Sequence, residues 1–456
     1  MPKQPNIIVC MCDQLRSFEV GCYGNDVIRT PNIDKLASEG VRFETMCSNN
    51  PVCTPARSIL LTGQYSRTAT GTVTNVAETP PNSQRERLTS TTLPEALKRE
   101  GYQTALIGKW HVDPHPNLVG FDYTVFPHHS HRNTGQTYFE NSDEPRVVEG
   151  FAPDYEADEV KKYVQEHKET PFFLFYNISP PHMPVADGPD AYTKMYSPDE
   201  VPLRDNVFID GEMPYDEHWF KIYLHDYLYY LLHLPYTEEL PEGFDLRDLV
   251  ALYYGMTTCV DDQVGKLMTL LEEEGIAEDT LVVFLSDHGD ILGSHHLFNK
   301  DRLIEEAIRV PLIYHWPVAL EPSEVTEQIG CMVDLMPTVL DLVDVSVPSS
   351  VQGTNLGAVV RGEETTTGEN VAYLETAHHE IGIRTDRYTY GIQLTNGKTE
   401  PSARMIADDR YQFFDRETDP LQQNNLAKTD EQANVAAELR ERVLAWHKTT
   451  PWAVLD

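Results

Sequence analysis

The sequence predicts an α/β fold: a large mixed, mostly parallel sheet flanked by helices, with a smaller C-terminal α+β subdomain. Three observations predict it. Short apolar, β-branched runs alternate with helix-period patterns up to about residue 365. Beyond that point the pattern turns to short, closely spaced strands and one closing helix. Acidic residues stand directly after two of the apolar runs, and open α/β sheets carry their sites at the carboxyl ends of strands. The division expected is residues 1–365 for the larger unit and 366–456 for the smaller one.

In chain order, residues 6–12 ("NIIVCMC") form an unbroken apolar run and the first strand. A helix follows at 32–39 and a strand at 41–46. Residues 56–62 ("ARSILLT") read as a helix, as do 93–99, and 103–107 read as the next strand. A charged amphipathic pattern at 156–166 gives a helix before the strand at 171–178 ("PFFLFYNI"). The long helix-period stretch at 249–274 precedes the strand at 280–286 ("TLVVFLS"). A strand at 310–316 and a helix at 334–342 complete the alternation. Residues 205–245 break it with "EHWFKIYLHDYLYYLLHLPY", an aromatic amphipathic helix that reads equally as packed on the core, as a lid or as a subunit contact in a homo-oligomer. In the smaller unit, "NVAYLETAHHE", "IGIRTDRYTYGIQ" and "YQFFDRETDP" are short antiparallel strands, and 431–447 the final helix.

The net charge of −36 disfavours nucleic acid and anionic membranes as partners, since repulsion from phosphates would have to be overcome. An anionic substrate must then be drawn in by a local cluster of positive groups. The seven cysteines show no CxxC spacing, and free thiols in a reducing compartment are the simplest account. No apolar run reaches membrane-spanning length and the N-terminus lacks a signal-peptide pattern. The expected location is cytoplasmic, with export after removal of a leader left open.

Four motifs carry chemistry. In "NNPVCTPARSILLTGQY" (49–65), Cys53 stands at a helix N-terminus beside Arg57, where dipole and guanidinium stabilise negative charge. A buried small hydrophobe, a thiol nucleophile and a modified cysteine all fit that stretch. "GKWH" puts Lys109 and His111 just after a strand, a cation and an acid/base group suited to an oxyanion ester. "NISPPHMP" carries His182 in a proline-rich loop. "SDHGDILGSHHLFNK" places Asp287 and His288 after a strand, with Lys300 at its end. Oxygen ligands from Asp13, Gln14 and Asp287 with one imidazole suit Ca²⁺, Mg²⁺ or Mn²⁺ better than a thiolate-bound zinc.

"CTPARSILLTG" resembles the signature of the type I, formylglycine-dependent sulfatases of the alkaline phosphatase superfamily. "GKWH", the "PPHMP" loop and "SDHGD…GSHHLFNK" follow in that family's order, with further echoes in "TPNIDKLASEGVRF", "IRVPLI", "VDLMPT" and "FFDRETDPLQQNNLA". The resemblance spans nearly the whole chain and implies an alkaline-phosphatase-like fold and hydrolysis of a sulfate ester, either a small organic sulfate or a sulfated sugar. It implies that a formylglycine-generating enzyme oxidises Cys53 to formylglycine, whose hydrate is the nucleophile. It also implies that Asp13, Gln14, Asp287 and His288, completed by residue 53, hold one divalent cation, Ca²⁺ ahead of Mg²⁺ or Mn²⁺. Arg57 would fix the hydrate, and Lys109, His111, His182 and Lys300 would surround the ester, with Asn75 as an extra substrate contact. One hydroxyl of the hydrate would attack sulfur, His182 or Lys300 would protonate the leaving oxygen, and His111 would take the proton of the second hydroxyl as sulfate leaves.

The chain departs from the commonest pattern at Ala56, where a serine is common, at Asp113, where a glycine often follows "GKWHx", and in the metal site. Gln14 and His288 replace an aspartate and an asparagine, a metal-site version similar to that of choline sulfatases and phosphonate monoester hydrolases. A phosphonate monoester or phosphodiester hydrolase on the same site is therefore the rival enzyme. A non-catalytic member that binds an anionic ligand is the rival from another class. "FPHHSHRN" (126–133) reads either as pocket lining or as a solvated turn.

Overall fold

The structure is a computed structural model, and it describes residues 4–76, 81–127, 131–141, 144–207, 218–235, 237, 240–395 and 406–453. Its larger sheet is built from β1 (Asn6–Asp13), β2 (Val41–Cys47), β3 (Gln103–Gly108), β4 (Tyr123–Pro127), β5 (Thr137–Glu140) and β6 (Pro145–Val147). It continues with β7 (Phe172–Pro181), β8 (Thr280–Ser286), β9 (Arg309–Val310), β10 (Leu312–His315) and β11 (Ser323–Cys331). The strand order is β11-β2-β10-β8-β1-β7-β3-β4-β5-β6, with β9 added beside β2. The centre, β8-β1-β7-β3-β4, is parallel, and antiparallel strands enter on both sides of it. The smaller sheet, β12 (Ala372–Glu375), β13 (Glu380–Arg384), β14 (Tyr388–Leu394) and β15 (Ile406–Asp415), is antiparallel throughout.

Every residue of β1, β7 and β8 is buried, because helices cover both faces of a parallel sheet and each strand must be apolar on both sides. The alternation of side chains divides β1 between two cores: Ile7, Val9 and Met11 enter one, Ile8, Cys10 and Cys12 the other. The first core is covered by α2 (Cys53–Thr62), α3 (Ser66–Thr70), α4 (Leu93–Arg99) and α10 (Leu335–Leu342), with α9 (Glu305–Ile308) and α11 (Gly357–Val360) nearby. The second lies under α1 (Pro31–Ser38), α5 (Ala152–His167), α7 (His218–Asp226) and α8 (Leu246–Glu273), with the short α6 (Asp190–Thr193) against α8. The C-terminal helix α12 (Ala433–Thr449) and the smaller sheet contribute Leu374, Ile381, Phe413, Val443 and Trp446 to the first core.

The expected alternation is present, with shifts at some ends. The strand expected at 310–316 is broken by Pro311 into β9 and β10, since proline has no N–H for the ladder. The helix expected from residue 56 begins three residues earlier, so Cys53 sits in its first turn. β11 and the β4-β5-β6 edge were not anticipated. β11 carries exposed Ser323, Glu324, Thr326 and Glu327, and β6 is exposed throughout, so neither shows the apolar run of a central strand. The aromatic segment packs on the second core through Phe220, Tyr223, Leu224 and Leu228, and residues 208–217, 236 and 238–239 within it lie outside the described set.

Candidate active site

Four neighbouring parallel strands deliver the site. β8, β1, β7 and β3 lie side by side, and their carboxyl ends lead into Asp287, Asp13, His182 and Lys109. Cys12 is paired with Ser286, so the two aspartates emerge next to each other although 274 residues apart in sequence. Gly108 makes the turn into Lys109 with φ +91, and a Cβ there would stand 1.9 Å from the Asn177 carbonyl oxygen. Gly289 plays the same part after His288: a Cβ would lie 2.0 Å from the Glu306 carbonyl oxygen. The α2 N-terminus supplies Cys53 and, one turn on, Arg57, both fully buried.

Asp13, Cys53, Asp287 and His288 each offer a ligand atom, and these atoms lie within 4.8 Å of one another. His288 donates from Nδ1 to the Gly289 carbonyl at 3.0 Å, which turns the lone pair of Nε2 toward Cys53 Sγ, 3.3 Å away. Gln14, with φ 67, is oriented by its amide nitrogen, which donates to Asp290 Oδ2 (2.7 Å), Tyr223 OH (3.0 Å) and Asn299 Oδ1 (3.1 Å). Its Oε1 therefore faces inward and accepts from Lys300 Nζ at 3.0 Å. Two carboxylates, an amide oxygen and an imidazole of fixed tautomer form a donor set that fits a hard divalent cation.

Three cations balance these acids. Arg57 donates from Nε and Nη2 to Asp287 Oδ2 at 3.1 and 3.0 Å, from Nη2 to Asp13 Oδ2 at 3.3 Å, and from Nη1 to the Lys109 carbonyl at 2.9 Å. Lys109 Nζ pairs with Asp13 and lies 3.4 Å from Cys53 Sγ; Lys300 Nζ is 3.0 Å from the same sulfur. Burial alone would push the Cys53 thiol up, but Lys109, Lys300 and His288 reverse this and hold it well below its ordinary value. Asp13, raised by burial and by Cys53, is brought below the usual carboxylate range by Lys109, His182 and Arg57. Burial, and then Lys300, lower His182 to about 4. Its Nδ1 donates to the Met183 carbonyl at 2.6 Å, which leaves Nε2 for the site. His111 is likewise lowered by burial, and its Nδ1 is buried without a partner among the described residues.

The structure thus brings together Asp13, Gln14, Cys53, Arg57, Lys109, His111, His182, Asp287, His288 and Lys300. Asn75 is exposed, and its Oδ1 accepts from the backbone N–H of Thr54, the residue after Cys53, at 3.0 Å. The fold also adds residues that sequence reasoning named only within motifs or not at all. His131 stacks on His182 with ring centroids 3.5 Å apart and accepts from Lys109 Nζ at 3.2 Å through Nδ1. It is the described part of "FPHHSHRN" that enters the site; residues 128–130 lie outside the described set. Asp290 and Tyr223 hold Gln14, and Tyr223 comes from the aromatic segment. The second aspartate of "SDHGD" was a legible hint for Asp290; Tyr223 had none. A cavity of about 710 Å³ between α5 and α8 contains none of these residues.

Comparison with known proteins identifies the family. Residues 5–345 match the family model described as sulfatase, and residues 293–449 match that of the N-sulphoglucosamine sulphohydrolase C-terminal region. An ulvan-active sulfatase from Formosa agariphila is 30% identical, the alignment covering 96% of this chain and 80% of that protein. An N-acetylglucosamine-6-O-sulfatase from Bacteroides thetaiotaomicron is 28% identical over 96% of this chain and 85% of its own. A solved structure in complex with its substrate D-glucosamine-2-N,6-O-disulfate superposes with a TM-score of 0.80 at 25% identity, covering 98% of both chains. With a family model matched from β1 to α10 on an alkaline-phosphatase-like fold, the chain belongs to the sulfatase family, the sulfuric ester hydrolases.

Proposed function

We propose that this sulfatase removes sulfate from a sulfated saccharide, using a formylglycine made from Cys53 and one divalent cation, Ca²⁺ by preference. The observation that carries the reading is the buried cluster in which Cys53 Sγ meets Lys109, Lys300 and His288 at 3.0–3.4 Å beside two aspartates. The sulfur stands in for the oxygen of the hydrated aldehyde that serves as nucleophile after maturation. Asp13, Gln14, Asp287 and His288 would hold the cation, whose chemistry is to lower the pKa of the nucleophile and to take up charge on the ester oxygens. The oxygen-rich donor set favours calcium.

The chain's own residues do the rest. Arg57 keeps both aspartates in register, and Lys109 and Lys300 hold the ester oxyanion between them. Lys300, whose pKa is raised by Cys53, Asp13 and Asp287 against burial, stays charged for this task. His182 enters neutral, and an arriving anionic ester favours its protonated form, ready to give a proton to the leaving alcohol. His111, lowered by burial, is poised as a base for the proton released when sulfate departs. Because all ten residues of α2 are buried, the maturing enzyme must act on Cys53 before this helix packs.

The saccharide assignment draws on the relatives, whose names specify ulvan and N-acetylglucosamine-6-O-sulfate, and on the glucosamine disulfate of the solved complex. Turnover of an aryl sulfate, a 6-O-sulfated N-acetylglucosamine and a phenylphosphonate monoester by calcium-loaded, matured enzyme tests the reading. Sulfate release from the two sulfates with little phosphonate cleavage is expected. A large preference for the phosphonate would assign the site to the rival chemistry.

A further inference from the structure

The site has a neighbour that its chemistry does not use. A surface cavity of about 600 Å³ is lined by Arg132, Asp187, Tyr229, Tyr230 and His233, with Leu234 and Pro235 on its apolar side. Its volume falls in the range of about 300–1,000 Å³ usual for small-ligand pockets. Two of its three walls continue chain segments that already carry site histidines. His131 stacks on His182, and the very next residue, Arg132, lines the cavity. His182 opens the loop that reaches Asp187 five residues later. The two walls are tied together: the Asp187 carboxylate accepts from the backbone N–H groups of Asn133 at 2.7 Å and Thr134 at 3.2 Å. Adjacent Cα atoms are about 3.8 Å apart, so the backbone that carries a site histidine also carries the cavity's arginine.

The third wall is the C-terminal end of the aromatic helical stretch 218–231 and the residues that follow it. Tyr229 is 57% exposed and Tyr230 is partly exposed, with their rings perpendicular at 4.9 Å. Burial and the nearby Asp187 and Asp226 push the Tyr230 hydroxyl's pKa up, while Arg132 opposes them, so cation, carboxylate and phenol share one small space. Exposed tyrosines offer apolar faces for the C–H side of a pyranose, Asp187 and His233 suit hydroxyls, and Arg132 suits a sulfate or carboxylate in fork geometry. On a chain of net charge −36, a cation at this point is a local feature and not part of a basic surface.

We infer that the cavity lined by Arg132, Asp187, Tyr229 and Tyr230 is a subsite for the sugar unit next to the one that loses sulfate, a unit bearing its own sulfate or carboxylate. The inference rests on the saccharide reading above and extends it: the substrate is an anionic oligosaccharide. The helical stretch 218–231 then has two jobs, since Tyr223 holds Gln14 while Tyr229 and Tyr230 line the subsite.

Calorimetric titration of the unmatured Cys53 enzyme with sulfated tetrasaccharides cut from ulvan and from chondroitin sulfate tests the subsite without turnover. At least one tetrasaccharide should bind, and Tyr229→Ala or Arg132→Gln should each weaken it roughly ten-fold. The Arg132→Gln complex should also lose part of its salt dependence. The matured variants should hydrolyse 4-methylumbelliferyl sulfate with unchanged kcat and KM, because neither side chain belongs to the sulfate pocket. Absence of tetrasaccharide binding, equal binding by the variants, or a parallel loss of aryl sulfate turnover would overturn the inference. Failure of the sulfatase reading shows separately, as matured wild-type enzyme that leaves the aryl sulfate intact.

Discussion

At the scale of single residues, the site is a set of charges that only mutual contact makes tolerable in a dry interior. Asp13, Arg57, Asp287 and His288 are all fully buried, and each cation touches at least one acid or the Cys53 sulfur. Gln14 is held by three acceptors that fix its amide nitrogen and so aim its oxygen. Tyr223→Phe removes one of these acceptors and the bond from Tyr223 OH to Asp290, while its ring still packs against Phe298. The expected outcome is a metal affinity about 10–100-fold weaker with the fold intact, read by calorimetric Ca²⁺ titration; unchanged affinity would exclude Gln14 as a ligand held in this way. The ten clustered residues were legible in the sequence because they lie in short motifs with recognisable order. His131 was legible only as one reading of "FPHHSHRN" and Asp290 only as the second aspartate of "SDHGD"; Tyr223 was not, since its contact with Gln14, 209 residues apart, leaves no local pattern.

At the scale of elements, the central strands were readable because burial on both faces writes them as unbroken apolar runs. The edge strands β6 and β11 were not, because half-exposed strands share their composition with loops. α5 illustrates a packing conflict that its own amphipathic pattern conceals. Glu156 is buried on its inner face, accepts from Tyr138 OH at 2.7 Å through one oxygen, and has no partner for the other among the described residues. Burial pushes its pKa up from 4.5 to about 8. Between those values the folded protein keeps a proton that the unfolded chain has lost, so stability falls as pH rises through the window. Glu156→Gln should therefore raise the melting temperature at pH 8 and leave it nearly unchanged at pH 4.5. A gain of equal size at both pH values would show that the carboxyl is ionised in the fold.

At the scale of the whole molecule, the boundary expected near residue 365 marks a change of architecture, and we propose that it does not mark an independent folding unit. One apolar core contains Ile7 of β1, Leu60 of α2, Ile381 of β13 and Trp446 of α12. Buried ion pairs cross the same boundary: Arg67 donates to Glu375 at 2.6 Å, and Arg384 to Glu305 at 3.0 Å. The smaller sheet thereby braces α9 and the segment that leads back toward His288. Against burial, Arg384 and then Arg416 hold Glu305 well below its ordinary 4.5, so its contribution is complete above that pH and is lost as pH falls below it. Arg384→Met should lower the single calorimetric transition at pH 7, at a cost of about 3–5 kcal/mol, and the gap from wild type should narrow below pH 4.5. Two well-separated transitions, or a gap independent of pH, would contradict this.

All three scales converge on residue 53, where the α2 N-terminus, two lysines and the aspartates at the ends of β1 and β8 meet. The most direct measurement is a mass spectrum of the peptide containing residue 53, taken from enzyme co-expressed with its maturing partner and set beside sulfate release by the same preparation. The account predicts an aldehyde in place of the CH₂–SH group, in a fraction that tracks the rate across preparations. Full turnover by protein that carries only the unmodified Cys53 thiol would contradict it.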